Sequence, residues 1–218
     1  MALGEWVLKQ ACSTARSWPD DIRIAVNVSA SQLKAGGFVQ AVVEALETSA
    51  LPAGRLELEV SELTLLHSDK RTLDTLRELR SMGVRIALEN FGAGYSSLEY
   101  LKRFPVDIIK IDPSLIKSAG AEDNCKETFR AVATLARSLA GTTTVKGIES
   151  EEHLQFARDV GCDEAQGYFI CPPLPVEGSD RAWQPGPQVG NRSTGPVATD
   201  ASFDKSRSGG TPLFGPAA

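Results

Sequence analysis

Six times in its first 175 residues the chain passes through a short apolar run that ends in polar side chains, then through a stretch with helical spacing. The expected strands cover residues 22–28, 56–60, 85–90, 106–112, 142–149 and 163–170. Between them, apolar residues recur every three or four positions. Examples are Leu73, Leu76 and Leu79 before Gly83, and Leu154, Ala157 and Val160 before Gly161. Strands that alternate with helices build a parallel sheet with helical crossovers. In a barrel of that kind the C-terminal strand ends form the functional rim. Each strand here delivers polar groups to that end: Asn27, Glu59, Glu89 with Asn90, Lys110, Lys146 with Glu149, and Gln166. A solvated strand end explains any one of them. Six in succession point to a site.

Composition removes several function classes. A formal charge of -5 argues against a DNA-binding protein, which rests on a basic surface. No apolar run approaches the ~20 residues of a membrane helix, and the N-terminus lacks a signal-peptide pattern, so a cytoplasmic location is expected. Cys12, Cys125, Cys162 and Cys171 show no metal-type spacing and read as reduced thiols, a shared metal site being the lesser alternative. His67 and His153 read as surface residues. Residues 176–218 change to Gly, Pro, Ser and Thr without either period. Such a segment buries too little apolar area to offset its ordering entropy, so a folded domain at 1–175 and a disordered tail at 176–218 are expected.

Several stretches occur together in a definite order. They are Leu3-Gly4-Glu5-Trp6-Val7-Leu8, Val26-Asn27-Val28-Ser29-Ala30, Leu56-Glu57-Leu58-Glu59-Val60-Ser61-Glu62, Phe91-Gly92-Ala93-Gly94-Tyr95-Ser96-Ser97, Leu101-Lys102-Arg103-Phe104-Pro105-Val106-Asp107, Lys110-Ile111-Asp112, and Gly161-Cys162-Asp163 through Gln166-Gly167-Tyr168. Over about residues 3–175 the chain thereby resembles the EAL domain, the family of cyclic di-GMP phosphodiesterases. The resemblance implies a (β/α) TIM-type barrel in which one strand runs against the others. Here the barrel is expected to be incomplete, with about six of the eight strands. It also implies hydrolysis of one phosphodiester bond with two Mg²⁺ or Mn²⁺ ions that activate water. Asn27, Glu59 and Glu89 match first-metal ligands, and Asn90 and Lys146 stand at second-metal positions. Lys110, Glu149 and Gln166 match the catalytic group around the water. Glu62 matches the anchor of the loop after the third strand. Within that loop Phe91, Gly92, Gly94, Tyr95 and Ser96 match a dimer-coupled switch.

The departures bear on function. The Glu-Ala-Leu motif that names the family is absent from its place ahead of the matched stretches, and with it a metal ligand and a substrate-contacting arginine. The family's Asp-Asp pair is Glu89-Asn90, and an acidic ligand has become Lys146. Asparagine is a weaker ligand for a hard cation than a carboxylate. An ammonium ~4 Å from a divalent ion is repelled by ~8 kcal/mol at an effective dielectric of about 20. Glu59, Glu89 and Glu149 against Lys110 and Lys146 leave one net negative charge, too little for two divalent cations. The expectation is an EAL-domain protein of cyclic di-GMP signalling that is catalytically degenerate, binds Mg²⁺ or Mn²⁺ weakly or not at all, and serves as a regulatory, interaction or ligand-sensing module. The alternative is an active cyclic-guanylate-specific phosphodiesterase giving linear pGpG. Expected partners are cyclic di-GMP, a second copy in a homodimer, or an upstream signalling domain.

Overall fold

The computed structural model of the chain describes residues 2–94, 101–119 and 123–175, together with the backbone of two short strands at 200–202 and 213–215. Six strands run parallel in sequence order, each hydrogen-bonded to the next: β1 (Ile24–Asn27), β2 (Leu56–Ser61), β3 (Arg85–Phe91), β4 (Ile108–Ile111), β5 (Thr142–Lys146) and β6 (Glu164–Gln166). The helices between them are α1 (Ala2–Arg16, before β1), α2 (Ala30–Lys34), α3 (Phe38–Ser49), α4 (Glu62–Leu66), α5 (Lys70–Ser81), α6 (Pro113–Ala119), α7 (Asp123–Leu139) and α8 (Glu151–Val160). This is the expected α/β barrel architecture as a half-barrel of six parallel strands.

Strand alternation divides the sheet into two faces. Ile24, Val26, Leu56, Leu58, Val60, Ile86, Leu88, Ile109, Ile111, Val145 and Ala165 are buried in one apolar core with the helix faces built from Leu8, Cys12, Val42, Leu76, Leu79, Phe129, Ala133, Leu154 and Ala157. Each fully buried Leu, Ile, Val or Phe contributes ~1.5–3 kcal/mol. The alternate positions are polar and in register: Asn27 beside Glu59, Glu57 beside Arg85, Lys110 beside Thr144, Thr144 beside Glu164, and Lys146 beside Gln166. The face meant for the barrel interior is thus charged.

Serines end the rim turns and start the helices. Ser29 and Gln32 form a capping box on α2, the Ser61 side chain accepts from Thr64 N on α4, and Ser150 accepts from His153 N on α8. At the opposite end of the sheet, Asp107 accepts from Ile86 N at 3.0 Å and Asp163 from Thr143 N at 2.9 Å, tying neighbouring strands together. One side remains open. Leu3, Trp6 and Val7 share a face of α1 and are 74%, 61% and 38% exposed.

The strand ends differ from the sequence-based expectation. β5 stops at Lys146 because Gly147 takes φ +81° and lies against Pro113, so Glu149 stands on the following loop and not on a strand. β6 stops at Gln166, and α6, which begins at Pro113, had no sequence signal strong enough to be expected. Within residues 176–218 the described residues form β7 (Asp200–Ser202), antiparallel to β6, and β8 (Leu213–Gly215), antiparallel to β7.

The two rim loops after β5 and β6 are joined through one residue, Ile148. Ile148 N donates to Gln166 O and Phe169 N to Ile148 O, both at 3.0 Å. Gly167 lies so close that a Cβ there would fall on the Ile148 backbone. Gly167→Ala is expected to cost ~2–3 kcal/mol, at the upper end of overpacking effects, read as a lower urea midpoint.

Candidate functional site

The polar face brings most of the sequence-predicted residues into one group. Lys110 is 2% exposed, and its Nζ lies 2.5 Å from Glu59 Oε1 and 2.9 Å from Glu57 Oε1. Glu59 and Lys110 meet across β3, where Ala87 is in register with both Glu59 and Ile108 and is too small to intervene. One turn of the pleat closer to the rim, Lys146 Nζ lies 2.5 Å from Glu89 Oε1, linking β5 to β3. Gln166 stands in register beside Lys146, and Asn27, at the exposed end of β1, beside Glu59.

Glu149 is held differently. Its Oε1 lies 2.6 Å from Lys117 Nζ on α6, and each side chain is about half exposed. Glu59, Glu89 and Glu149 are therefore each ion-paired to a different lysine. Lys117 and Glu57 escaped notice in the sequence. Lys117 sits on the unforeseen helix α6, and Glu57 looked like an ordinary alternating strand residue.

Electrostatics follow the burial. Removal from water pushes the Glu59 carboxyl above its usual range, the Lys110 ammonium opposes this, and the neighbouring Glu89 and Glu57 charges add to it. The hydrogen bond from Lys117 holds Glu149 below its usual range. Burial pushes the Cys12 thiol up to about 11, which suits an inert core thiol rather than a ligand.

Asn90 has φ +56°, at a bulge where the β3–β4 register shifts between Leu88 and Phe91. Asparagine and aspartate adopt this left-handed backbone more readily than other residues with a side chain. The amide therefore suits the backbone while lacking a full charge. Glu62, 3% exposed, occupies the first turn of α4 after its Ser61 cap. In the proposed switch loop, Phe91 is buried in the core, and Gly92 (φ +90°) and Gly94 (φ +111°) take glycine conformations. Gly92 is packed against Leu115 and Val132. Tyr95 and Ser96 lie outside the described residues.

Among the described residues no group of three or more His, Cys, Asp or Glu side chains is arranged to hold a metal ion. Glu59, Glu89 and Glu149 each lie against a lysine ammonium at contact distance. Among the described residues no helix is long and apolar enough to cross a membrane.

Comparison with known proteins gives a consistent picture. The EAL domain family matches residues 1–173. A Caulobacter vibrioides signalling protein is 45% identical over 176 residues, covering 81% of this chain and 22% of its own length. The Pseudomonas aeruginosa cyclic di-GMP phosphodiesterase NbdA is 38% identical over 178 residues, covering 80% of this chain and 23% of its own length. The chain thus spans about a fifth to a quarter of the first curated relatives it matches. Among solved structures, the MucR phosphodiesterase in complex with c-di-GMP superposes with a TM-score of 0.77 at 37% identity, covering 82% of this chain and 74% of that one. The EAL domain of Mycobacterium smegmatis DcpA gives 0.77 at 33% identity, covering 82% of each.

Lys110→Ala is expected to cost ~3–5 kcal/mol, because it strands two buried carboxylates. With its folded pKa raised above 4.5, Glu59 binds a proton in the folded state that the unfolded chain has released. On this group stability falls as pH rises through that window, and loss of the opposing ammonium widens it. Urea unfolding should show the variant's deficit largest at neutral pH and shrinking as pH falls towards 4.5.

Proposed function

Since the chain belongs to the EAL domain family, a family of cyclic di-GMP signalling known for phosphodiesterase activity, we propose that it is a non-hydrolytic member. It serves as a regulatory module that binds ligand or partner without turning substrate over. The observation that carries this reading is the pairing of Glu59, Glu89 and Glu149 with Lys110, Lys146 and Lys117 at 2.5–2.6 Å. Two of these pairs involve first-metal positions, and of their lysines Lys146 is the one that departs from the family pattern. The third occupies a group otherwise free to orient water. Lys146 puts a fixed cation where a second-metal carboxylate would be needed, and Asn90 offers a neutral amide beside it. The half-barrel scaffold persists, because an ammonium neutralises a buried carboxylate for folding as a metal would, while supplying neither a bound water nor a double charge.

Two measurements test this. Mn²⁺ is expected to leave the melting temperature of the wild type unchanged. Lys146→Glu combined with Asn90→Asp should gain up to ~2.7 kcal/mol of stability at a hundredfold excess over the dissociation constant. Asp at position 90 keeps the backbone that Asn already adopts, so the variant is expected to fold. Formation of linear product from cyclic di-GMP by the wild type with Mn²⁺ would overturn the proposal. Calorimetry with cyclic di-GMP in the absence of metal then separates ligand sensing, which gives binding heat, from a protein-interaction role, which gives none.

A further inference from the structure

Pairs of opposite charge tie the polar face together from strand to strand. Lys110 reaches from β4 over β3 to Glu59 on β2, and Lys146 from β5 over β4 to Glu89 on β3. A further pair spans a different kind of interval. Arg23, one residue before β1, is ion-paired with Glu164 on β6, 141 residues further along the chain. Neighbouring strands lie ~4.8 Å apart, so in a flat sheet the first and sixth would be ~24 Å apart, beyond the reach of an arginine and a glutamate. The sheet is therefore curled. Among the described strands β1 has a hydrogen-bonded neighbour on one side only, β2, and Arg23 crosses the gap on the other.

The contact is made by a carboxylate with little alternative. The Glu164 side chain is 8% exposed, and both of its oxygens are used. Oε1 meets the Arg23 guanidinium, and Oε2 accepts from Thr144 Oγ1 at 2.8 Å. Thr144 is the in-register neighbour of Glu164 on β5, so this second bond anchors the carboxylate to the ladder. A carboxylate withdrawn from water needs an opposite charge, and among the described residues Arg23 is its one ion-pair partner. Strand alternation decides what moves with the pair. Arg23, Ala25 and Asn27 follow one face of β1, and Glu164 and Gln166 follow the same face of β6. Asn27 and Gln166 are the rim ends of the two strands that the pair connects.

We propose that Arg23 and Glu164 form a clasp across the open side of the barrel. The clasp fixes how far β1 stands from β6 and, through those strands, how far Asn27 stands from Gln166 at the rim. Both are positioning residues at the opposite end of the polar face. Their role rests on charge and reach, and is independent of whether the rim hydrolyses, senses or docks.

Spin labels at positions 27 and 166 of the full chain read the gap directly. Cys125→Ser removes the partly exposed thiol, and the buried Cys12, Cys162 and Cys171 stay in place. With the clasp intact, a single narrow distance is expected. In Glu164→Gln the amide oxygen can keep the Thr144 bond, which turns the NH2 group towards Arg23 and discharges the clasp. The distance distribution should then broaden and shift outward. Arg23→Ala should do the same and also strand a buried carboxylate, raising the unfolding constant ~100-fold or more. In Arg23→Ala combined with Glu164→Gln that charge is gone, so most of the stability should return while the gap stays wide. A pair that serves stability alone would not separate the two readouts. Glu164→Gln carries the test if Arg23→Ala fails to fold. A broad distribution in the wild type, a gap unchanged in folded Glu164→Gln, or a gap that narrows again as stability returns would overturn the proposal.

Discussion

The lysine at position 110 sets the terms for the rest of the structure. A parallel sheet covered by helices normally fills its interior face with apolar side chains. Here that face carries Glu57 and Glu59, nearly out of contact with water, and the Lys110 ammonium between them offsets their burial. The contact joins β2 to β4 over the small Ala87 on β3, so side-chain electrostatics reinforce the order that the backbone ladder already sets. Buried ion pairs add little net stability, but losing one partner is expensive, which makes such a pair a constraint on register more than a source of energy.

The same requirement extends towards the rim. Glu89, largely buried, needs positive charge nearby and the chain supplies it through Lys146, while the half-exposed Glu149 is paired with Lys117. Glu59 senses the Glu89 charge as well as that of Glu57, so the Lys110 and Lys146 pairs form one electrostatic unit. Folding demands neutralisation and is indifferent to the nature of the cation. Catalysis in a two-metal site demands double charge, open coordination positions and a bound water. A lysine satisfies the first need and none of the second, which on the proposed reading is how the scaffold keeps its shape without hydrolysis.

Much of this was legible in the sequence, and the exceptions have local causes. Apolar runs with polar ends gave the six strands, whereas the capping oxygens of Ser29, Ser61, Asp69 and Ser150 show only in the structure. Strand ends were overrun at residues 149 and 170, because the apolar character outlasts the ladder where Gly147 and Gly167 turn the chain. α6, only seven residues long, is too short to show a period, and Lys117 went unseen with it. The lysine–carboxylate pairings depend on register between strands far apart in sequence: Lys110 and Glu59 are 51 residues apart, Lys146 and Glu89 57. Residue types showed that the charges nearly balance. Only the fold shows which charge balances which.

Asn27 connects the site to the open side of the barrel. It is the one sequence-predicted ligand position on β1, and it is exposed although Glu59, in register beside it, is buried. The difference follows from strand position: Glu59 has neighbouring strands on both sides, whereas β1 has β2 on one side alone among the described residues. The same edge lies beside α1, which carries the uncovered Leu3, Trp6 and Val7 face. A strand laid along β1 would withdraw Asn27 from water and deepen the wall around Glu59, raising the electrostatic weight of every charge on the polar face. Barrel closure and rim chemistry are therefore coupled through β1: the degree to which that edge is covered sets how much of the polar face behaves as an enclosed site and how much as a solvated surface.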